Sequence, residues 1–185
     1  MSNLRPGVFL DRDGVINNIV WRQGMPVSPR TFSEFVLADG IQEAVQRLKA
    51  AALPVFVVTN QPDIARHKMT AEALEQMTAA VYQALPIDDL RICPHDNDDD
   101  CACRKPRPGM LIELAQQWPI DLSRSFIVGD SWKDMAAGKQ AGCRTVLIAR
   151  DYNRETAADF AVTDVLAAAT LILEMLTNPT CAGGL

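Results

Sequence analysis

The sequence predicts an α/β protein in which helices cover both faces of a parallel sheet. Short apolar runs without polar alternation recur along the chain, as is typical of buried strands in parallel sheets. Segments whose apolar residues follow helical spacing separate these runs, and this alternation favours right-handed crossovers. Because 185 residues suffice for one buried core, we expect a single domain over residues 1–185, with a frayed end from about 178 to 185.

The composition argues against several classes of protein. A formal net charge of -5 disfavours nucleic acid or an anionic membrane surface as the main partner. No apolar run reaches the roughly 18 residues that a membrane span needs. Residues 1–7 lack the basic start and apolar core of a signal peptide. We therefore expect a cytoplasmic protein that acts as a monomer and binds neither nucleic acid nor membranes.

The first predicted strand, Val8–Leu10, leads directly into two carboxylates. Asp11 and Asp13 follow it one residue apart, and Gly14 comes next. Ligands of open α/β sheets bind at the carboxyl ends of the strands. Two close carboxylates repel each other unless a cation such as Mg²⁺ lies between them. The motif therefore favours a magnesium site, and an acidic turn that caps the next segment is the alternative.

Residues 15–37 are predicted to form a loop or flap beside these carboxylates. Glycine and prolines interrupt the segment at Gly24 and Pro26, which argues against a packed helix. Trp21 and Arg22 in this flap could contact a substrate, or Trp21 could simply cover the edge of the core.

The second predicted strand also ends in polar side chains. A helix is expected between Asp39 and this strand. Asp39 is expected to cap it, because Asp39 and Gln42 have the spacing of a capping box. The strand itself, Val55–Val58, leads into Thr59 and Asn60. The Thr59 hydroxyl could donate to a phosphate oxygen or cap the following turn.

The remaining elements continue the alternation. A fourth strand, Phe126–Val128, ends in Gly129 and Asp130, and Asp134 lies one helical turn beyond Asp130. The other predicted elements are a helix that begins at Thr70, a strand at Leu90–Ile92, a helix with Pro108 in its first turn, a helix from about Trp132 to Gly142, a strand at Thr145–Ile148, and a helix from Val165 to about Thr177 that Asp164 caps.

Four soft metal ligands are concentrated in a loop at about 93–103. They are three thiols and one imidazole, a set typical of a closed tetrahedral zinc site: Cys93, His95, Cys101 and Cys103. Since a closed site keeps no position for water, this zinc would be structural and would fix the chain at 104–105. The alternative is a reduced, metal-free cysteine cluster. Cys143 is expected in the core, and Cys181 has no predicted role.

Four motifs in this order resemble the haloacid dehalogenase superfamily of phosphatases, which use an aspartate nucleophile. They are Asp11-x-Asp13 after the first strand, Thr59 after the second, Lys105, and Gly129-Asp130-x-x-x-Asp134 after a later strand. The resemblance covers about residues 8–148. It implies a Rossmann-like sheet of the haloacid dehalogenase type with no large cap domain, in which a zinc-stapled loop and the flap shape the pocket.

The resemblance also implies the chemistry of the first motif. Asp11 would attack phosphorus, and Asp13 would protonate the leaving alkoxide and then activate water. A catalytic Mg²⁺ would be held by Asp11, the backbone carbonyl of Asp13, and Asp130.

Contacts with the phosphate and the substrate are implied for a second set of residues. Lys105 and Thr59 would stabilise the transferring phosphoryl group. Asp134 would hold Lys105 or support the metal. Substrate contacts are implied for four further residues, namely Asn60, Arg104, Trp21 and Arg22.

The motif around the zinc loop resembles two families of small-metabolite phosphatases. The Cys93-Pro94-His95 and Cys101-x-Cys103-Arg104-Lys105-Pro106 segments are similar to both the heptose bisphosphate phosphatases and the histidinol-phosphate phosphatases. The continuation Pro108-Gly109-Met110 favours the heptose branch. The short spacing between the Cys93/His95 pair and the Cys101/Cys103 pair is closer to that of the histidinol-phosphate phosphatases. We expect Mg²⁺-dependent removal of the 7-phosphate from D-glycero-D-manno-heptose 1,7-bisphosphate. The alternatives are histidinol phosphate, another small sugar phosphate, or a non-catalytic zinc-stapled binding domain.

Four positions depart from the heptose branch, namely Pro62, Asp63, His67 and Ser131. Asp63 adds a carboxylate, and Ser131 stands at a position where lysine is common in that branch. We expect this change of charge to make the pocket less favourable to a second phosphate.

Overall fold

The computed structural model describes residues 4–177, which build a parallel sheet of six strands with a separate hairpin. The strands, numbered along the chain, are β1 (Val8–Leu10), β2 (Val20–Arg22), β3 (Met25–Val27), β4 (Val55–Asn60), β5 (Asp89–Cys93), β6 (Phe126–Gly129), β7 (Arg144–Ile148) and β8 (Phe160–Val162). The sheet order is β5-β4-β1-β6-β7-β8, and β2 and β3 form the hairpin. The predicted fold class is confirmed.

Within residues 4–177, five α-helices cover the two faces of the sheet. They are α1 (Ile41–Ala50), α2 (Ala71–Ala84), α3 (Gly109–Gln117), α4 (Trp132–Ala141) and α5 (Val165–Thr177). On one face α1 and α5 bury Val45, Leu48 and Ile172 against the strands. On the other face α3 and α4 bury Leu111 and Ala137. Burial of both faces explains why the central strands are apolar without alternation.

The strand order makes β1 the centre of the site. Residues of β1 pair with β4 on one side and with β6 on the other, so Leu10 lies between Val57 and Val128. The chain therefore leaves these three strands at the same edge of the sheet. The crevice where the strand order reverses is the usual ligand position in open α/β folds.

Some helix boundaries agree with the sequence and one does not. The helix predicted to begin at Thr70 does so, because Thr70 caps α2 by accepting a hydrogen bond from Ala73 N. The predicted Asp164 cap is confirmed by its hydrogen bond from Ala167 N. The predicted capping box at Asp39 is wrong. Helix α1 instead begins after Gly40, whose φ of +76° a side-chain-bearing residue seldom adopts.

Two short elements escape the sequence analysis. The segment at 15–37 contains the hairpin β2–β3, whose two-residue turn has Gln23 at φ +51° and Gly24 at φ +74°. Strand β8 extends the sheet beyond β7. Within residues 4–177, no helix is long and apolar enough to cross a membrane. The tail predicted to fray, 178–185, lies outside the described residues, and so does Cys181.

Candidate active site

The carboxyl ends of β1, β4 and β6 meet beside an open cavity of about 640 Å³. Among the residues predicted for the site, the cavity is lined by Asp11, Asp13, Asn60, Arg104, Lys105, Asp130 and Asp134. Thr59 is buried behind this lining, and Trp21 and Arg22 lie outside it. The structure thus brings together residues that are more than a hundred positions apart in the chain.

Lys105 is the buried cation at the base of the cavity. It is 2% exposed, and its ammonium group donates to Asp11 Oδ1 at 2.8 Å, to Asp134 Oδ1 at 2.5 Å and to Val58 O at 2.7 Å. These bonds use all of its N–H donors. Burial lowers the pKa of Lys105, but the two carboxylates outweigh burial and raise it. Lys105 therefore stays charged and neutralises part of the acidic cluster.

Carboxylate oxygens of Asp11, Asp130 and Asp134 lie within 4.8 Å of one another. Burial raises the pKa of Asp11, and the charge of Asp134 raises it further. The same two causes raise the pKa of Asp130 to about 7. Together with Asp13 they make four carboxylates. Two buried cations face them, Lys105 and the guanidinium of Arg12, which pairs with Asp13. Two negative charges are left among oxygen ligands, so the site fits a hard divalent cation such as Mg²⁺.

Asp130 is fixed by the loop that follows β7. The Tyr152 hydroxyl donates to Asp130 Oδ2, and Asn153 Nδ2 donates to Asp130 O at 2.7 Å. The turn after β1 packs against the same carboxylate, because a Cβ added to Gly14 would lie 1.9 Å from Asp130 Oδ2. Gly14 also has a φ of +83°, so the motif needs glycine there for two reasons.

Arg12 and Gln61 hold the Asp13 carboxylate. Arg12 donates to Asp13 Oδ1 from Nε at 3.0 Å and from Nη2 at 2.9 Å, and Nη2 also donates to Oδ2 at 3.2 Å. Gln61 Nε2 donates to Asp13 Oδ2 at 2.8 Å. Burial raises the pKa of Asp13, but the charge of Arg12 and these bonds outweigh burial and lower it.

Asn60 braces the chain that carries Lys105. Its Nδ2 donates to Lys105 O at 2.8 Å, and its Oδ1 accepts from Lys105 N at 3.1 Å. Both groups of the amide are thereby engaged with one backbone residue. The structure shows this bracing contact, and the predicted contact of Asn60 with a substrate stays a prediction.

The four predicted zinc ligands converge on one point. Their Sγ and Nδ1 atoms all lie within 4.8 Å of one another, with neighbouring pairs separated by 3.2 to 3.6 Å. A tetrahedral zinc ion with Zn–S bonds of about 2.3 Å holds its sulfur atoms about 3.8 Å apart, so the cluster is close to the required size. The sulfur atoms are too far apart for disulfides, and the three cysteines are free.

The zinc loop also fixes Arg104. Arg104 Nη1 donates to His95 O at 3.0 Å, and Arg104 Nε donates to Asn97 Oδ1 at 3.0 Å. Because His95 is one of the four ligands, the position of this guanidinium depends directly on the loop. Lys133 lies across the same part of the cavity, and burial together with the charge of Arg104 lowers its pKa.

Asp63 is paired rather than free. Arg30 Nε donates to Asp63 Oδ2 at 2.6 Å, and Arg66 Nη1 lies 3.6 Å from Asp63 Oδ1. Asp63 is 7% exposed, so these contacts are little screened by water. The structure therefore leaves no uncompensated charge at Asp63 to repel a second phosphate. The sequence did not show this, because Arg30 is 33 positions away.

The predicted substrate contacts of the flap are not brought into the cavity. Trp21 is 58% exposed and its ring meets Tyr152 edge-on, with ring centroids 6.0 Å apart. Arg22 is engaged within the flap, with Glu34 and with Ser28 O. The part of the flap that does line the cavity is Ile19, residues 25–28 and Arg30.

Comparison with known proteins decides the family. A family model described as "HAD-hyrolase-like" matches residues 102–174. The D-glycero-beta-D-manno-heptose-1,7-bisphosphate 7-phosphatase of Rhodopseudomonas palustris is 38% identical over 150 residues, which are 75% of this chain and 80% of that protein. The chain belongs to the heptose-bisphosphate phosphatase family. It is therefore a phosphatase of the haloacid dehalogenase type, and the predicted family and enzyme class are confirmed.

A relative and a crystal structure from one further organism support this. The 7-phosphatase of Bordetella bronchiseptica is 35% identical over 156 residues, which are 82% of this chain and 84% of that protein. The crystal structure of D,D-heptose 1.7-bisphosphate phosphatase from B. bronchiseptica, complexed with magnesium and phosphate, matches with a TM-score of 0.79 at 32% identity. That match covers 92% of this chain and 99% of the other.

Several side chains at the site of this phosphatase were not predicted from sequence. They are Arg12, Arg30, Gln61, Lys133 and Tyr152. Arg12 and Gln61 lie inside recognised motifs, so their position was a usable signal. Tyr152 follows β7, and the convergence of loops at the carboxyl edge of the sheet could have indicated it. Arg30 and Lys133 gave no signal of their own.

Proposed function

We propose that this protein is a Mg²⁺-dependent phosphatase that removes the 7-phosphate from D-glycero-β-D-manno-heptose 1,7-bisphosphate. Membership in the family supports the proposal, since the relatives named above carry that activity in their names. The observation that carries it is the division of the cavity into two charged zones. Carboxylates and Lys105 form the base, and cations line the mouth.

The cationic mouth suits a substrate with a second phosphate. Arg104, Lys133, Arg66 and Lys68 line it. Arg66 is already ion-paired with Asp63 and Asp96, whereas the ammonium group of Lys133 makes no hydrogen bond or ion pair with a described residue. A phosphate held here would be neutralised while the other phosphate lies at the base, near Asp11. Charge-assisted bonds to arginine and lysine are the usual means of holding such a group.

The residues at the base supply the chemistry of phosphoryl transfer. Asp11 attacks phosphorus, the bond to the sugar oxygen breaks, and Asp13 gives a proton to that oxygen. Only the protonated form of Asp13 can do this. The charge of Arg12 outweighs burial, lowers the pKa of Asp13 and keeps that form in the minority in the free protein. Asp13 then takes a proton from the water that hydrolyses the aspartyl-phosphate. Lys105 neutralises the negative charge that gathers on the phosphoryl oxygens.

Asp11, the backbone carbonyl of Asp13, and Asp130 are the groups proposed to hold Mg²⁺. When bound, the ion offsets the repulsion between the nucleophile and the phosphate. Asp134 keeps Lys105 in place, and the Tyr152 hydroxyl orients Asp130. Zinc on Cys93, His95, Cys101 and Cys103 would hold the loop and thereby Arg104.

A histidinol-phosphate phosphatase is the alternative, and the charge of the mouth disfavours it. The amino group of that substrate would meet Arg104 and Lys133, which are both cationic. Like charges that face each other in a half-buried cavity repel, so the amine would bind weakly.

A substrate panel tests the proposal. Phosphate release with Mg²⁺ is measured on both anomers of heptose 1,7-bisphosphate, fructose 1,6-bisphosphate and histidinol phosphate, with Asp11→Asn as the blank. We expect kcat/KM for the β-anomer to exceed the others by about a hundredfold, which is about 2.7 kcal/mol of transition-state discrimination. Preference for histidinol phosphate would overturn the substrate assignment. Absence of turnover on every compound would favour the non-catalytic, zinc-stapled domain.

A further inference from the structure

Gln61 occupies the junction between two groups of the reaction centre. It follows β4, and its backbone N donates to Cys93 O at 2.7 Å, so the sheet and the first zinc ligand fix its position. Its side chain is fully buried. The single amide nitrogen donates to Asp13 Oδ2 at 2.8 Å and to Thr59 Oγ1 at 2.9 Å. Both N–H donors of the amide are therefore directed at groups that the proposed mechanism uses.

Packing does not account for a glutamine at this place. Its other polar atom, Oε1, is buried and accepts no hydrogen bond from a described residue. Burying such an acceptor without a partner is unfavourable. An apolar side chain of similar size would fill the same space without this cost. The two N–H donors are what the amide supplies and an apolar side chain would not.

The direction of the bond to Thr59 has a consequence for the hydroxyl. Because Thr59 Oγ1 accepts from Gln61, its own O–H proton is left to donate elsewhere. No other hydrogen bond of this hydroxyl is made within residues 4–177. Gln61 thus leaves Thr59 as a donor, which a phosphoryl oxygen needs, while it anchors one oxygen of Asp13.

We propose that Gln61 is a positioning residue that aligns the acid–base carboxylate of Asp13 with the phosphoryl-binding hydroxyl of Thr59. The inference rests on the proposed roles of Asp13 and Thr59 and goes beyond them. Arg12 donates two hydrogen bonds to Asp13 Oδ1 and a longer one, of 3.2 Å, to Oδ2, so Gln61 supplies the shorter bond to Oδ2. Loss of the amide leaves Oδ2 with only the longer bond to Arg12, which weakens the hold on the orientation of Asp13.

The alignment of Asp13 can be measured by comparing substrates with different leaving groups. As the Asp11–phosphorus bond forms and the phosphorus–oxygen bond breaks, the proton of Asp13 moves to the departing oxygen. A sugar alkoxide is a poor leaving group and needs this proton, whereas the anion of 4-nitrophenol leaves with little help. Misalignment of Asp13 therefore slows sugar phosphates more than 4-nitrophenyl phosphate. The ratio of the two kcat/KM values is independent of how much of a variant is folded.

The test compares Gln61→Met, which keeps the volume and removes both donors, with three reference variants. Gln42→Met changes an exposed glutamine of α1, Thr59→Val removes only the hydroxyl, and Asp13→Asn removes the acid. We expect the ratio of kcat/KM for heptose bisphosphate over 4-nitrophenyl phosphate to fall about tenfold or more in Gln61→Met. It should fall further in Asp13→Asn and stay unchanged in Thr59→Val and Gln42→Met.

The outcomes separate this inference from the proposed function. If the ratio falls in Asp13→Asn but not in Gln61→Met, Gln61 does not position Asp13, and the function stands. If Asp13→Asn leaves the ratio unchanged, Asp13 is not the acid, and both proposals fail. An equal fall in Gln42→Met would also overturn the inference, because the effect would not be specific to the site.

Discussion

Replacement of Lys105 by methionine tests how the acidic cluster is held together. The ammonium group is buried and bonds to two carboxylates and one carbonyl. Methionine has a similar length but no donor, so Asp11 and Asp134 would face each other without their cation. Removing one partner of a buried ion pair destabilises a protein by about 3–5 kcal/mol. In a domain of this size, that corresponds to a fall in Tm of about 6–20 °C.

The assay is thermal or urea unfolding without added Mg²⁺, with Lys68→Met as the matched control. Lys68 lines the same cavity but is exposed, so its replacement should change the free energy of unfolding by less than about 0.5 kcal/mol. The double variant Lys105→Met/Asp134→Asn should recover part of the loss, because it removes one of the two unpaired carboxylates. A loss below about 1 kcal/mol in Lys105→Met would refute the role of Lys105 as the neutralising cation.

Three further predictions concern the metals and the turn after β1. Gly14→Ala should abolish Mg²⁺-dependent turnover and weaken Mg²⁺ binding in calorimetry, since its Cβ would overlap Asp130; unchanged binding would contradict the geometry. His95→Ala should lower the zinc content and raise KM at least tenfold, because without zinc the loop no longer holds the backbone carbonyl of residue 95 in place for Arg104; a normal KM with zinc absent would refute the coupling. Without Mg²⁺, the free energy of unfolding should fall by about 2–4 kcal/mol from pH 5 to pH 8, and Mg²⁺ should remove this slope. The pKa of Asp130 in the folded chain, about 7, lies above its unfolded value, so the folded state binds the extra proton and loses this stabilisation as pH rises. A free energy of unfolding that stays constant from pH 5 to pH 8 without Mg²⁺ would contradict this prediction.

The sequence predicted the parts of the site that follow apolar strands. Asp11 and Asp130 come directly after buried strands, Thr59 lies in the last two residues of another, and parallel strands end at one edge of the sheet. The zinc ligands could also be predicted from the sequence, because all four, from Cys93 to Cys103, lie within one short segment of the chain. In both cases the signal was local, and the fold needed only to bring a few segments together.

The partners of the charged side chains could not be predicted in the same way. Asp63 looked like a free acid beside the pocket, yet Arg30 from the flap pairs with it. Asn60 braces the Lys105 backbone, 45 positions away, and nothing in the sequence indicated this contact. Such contacts depend on how loops from different strands pack, which neither periodicity nor composition encodes. The hairpin was missed because its strands are three residues long.

The most direct test of the account is to find where the phosphate is attached during turnover. The enzyme is mixed with substrate and Mg²⁺, quenched in acid within one turnover, digested and mapped by mass spectrometry. The account predicts one phosphoryl group on Asp11, within the peptide that contains residues 8–14, and none in Asp11→Asn. Phosphate on another residue, or turnover by Asp11→Asn at the rate of the unchanged protein, would contradict it.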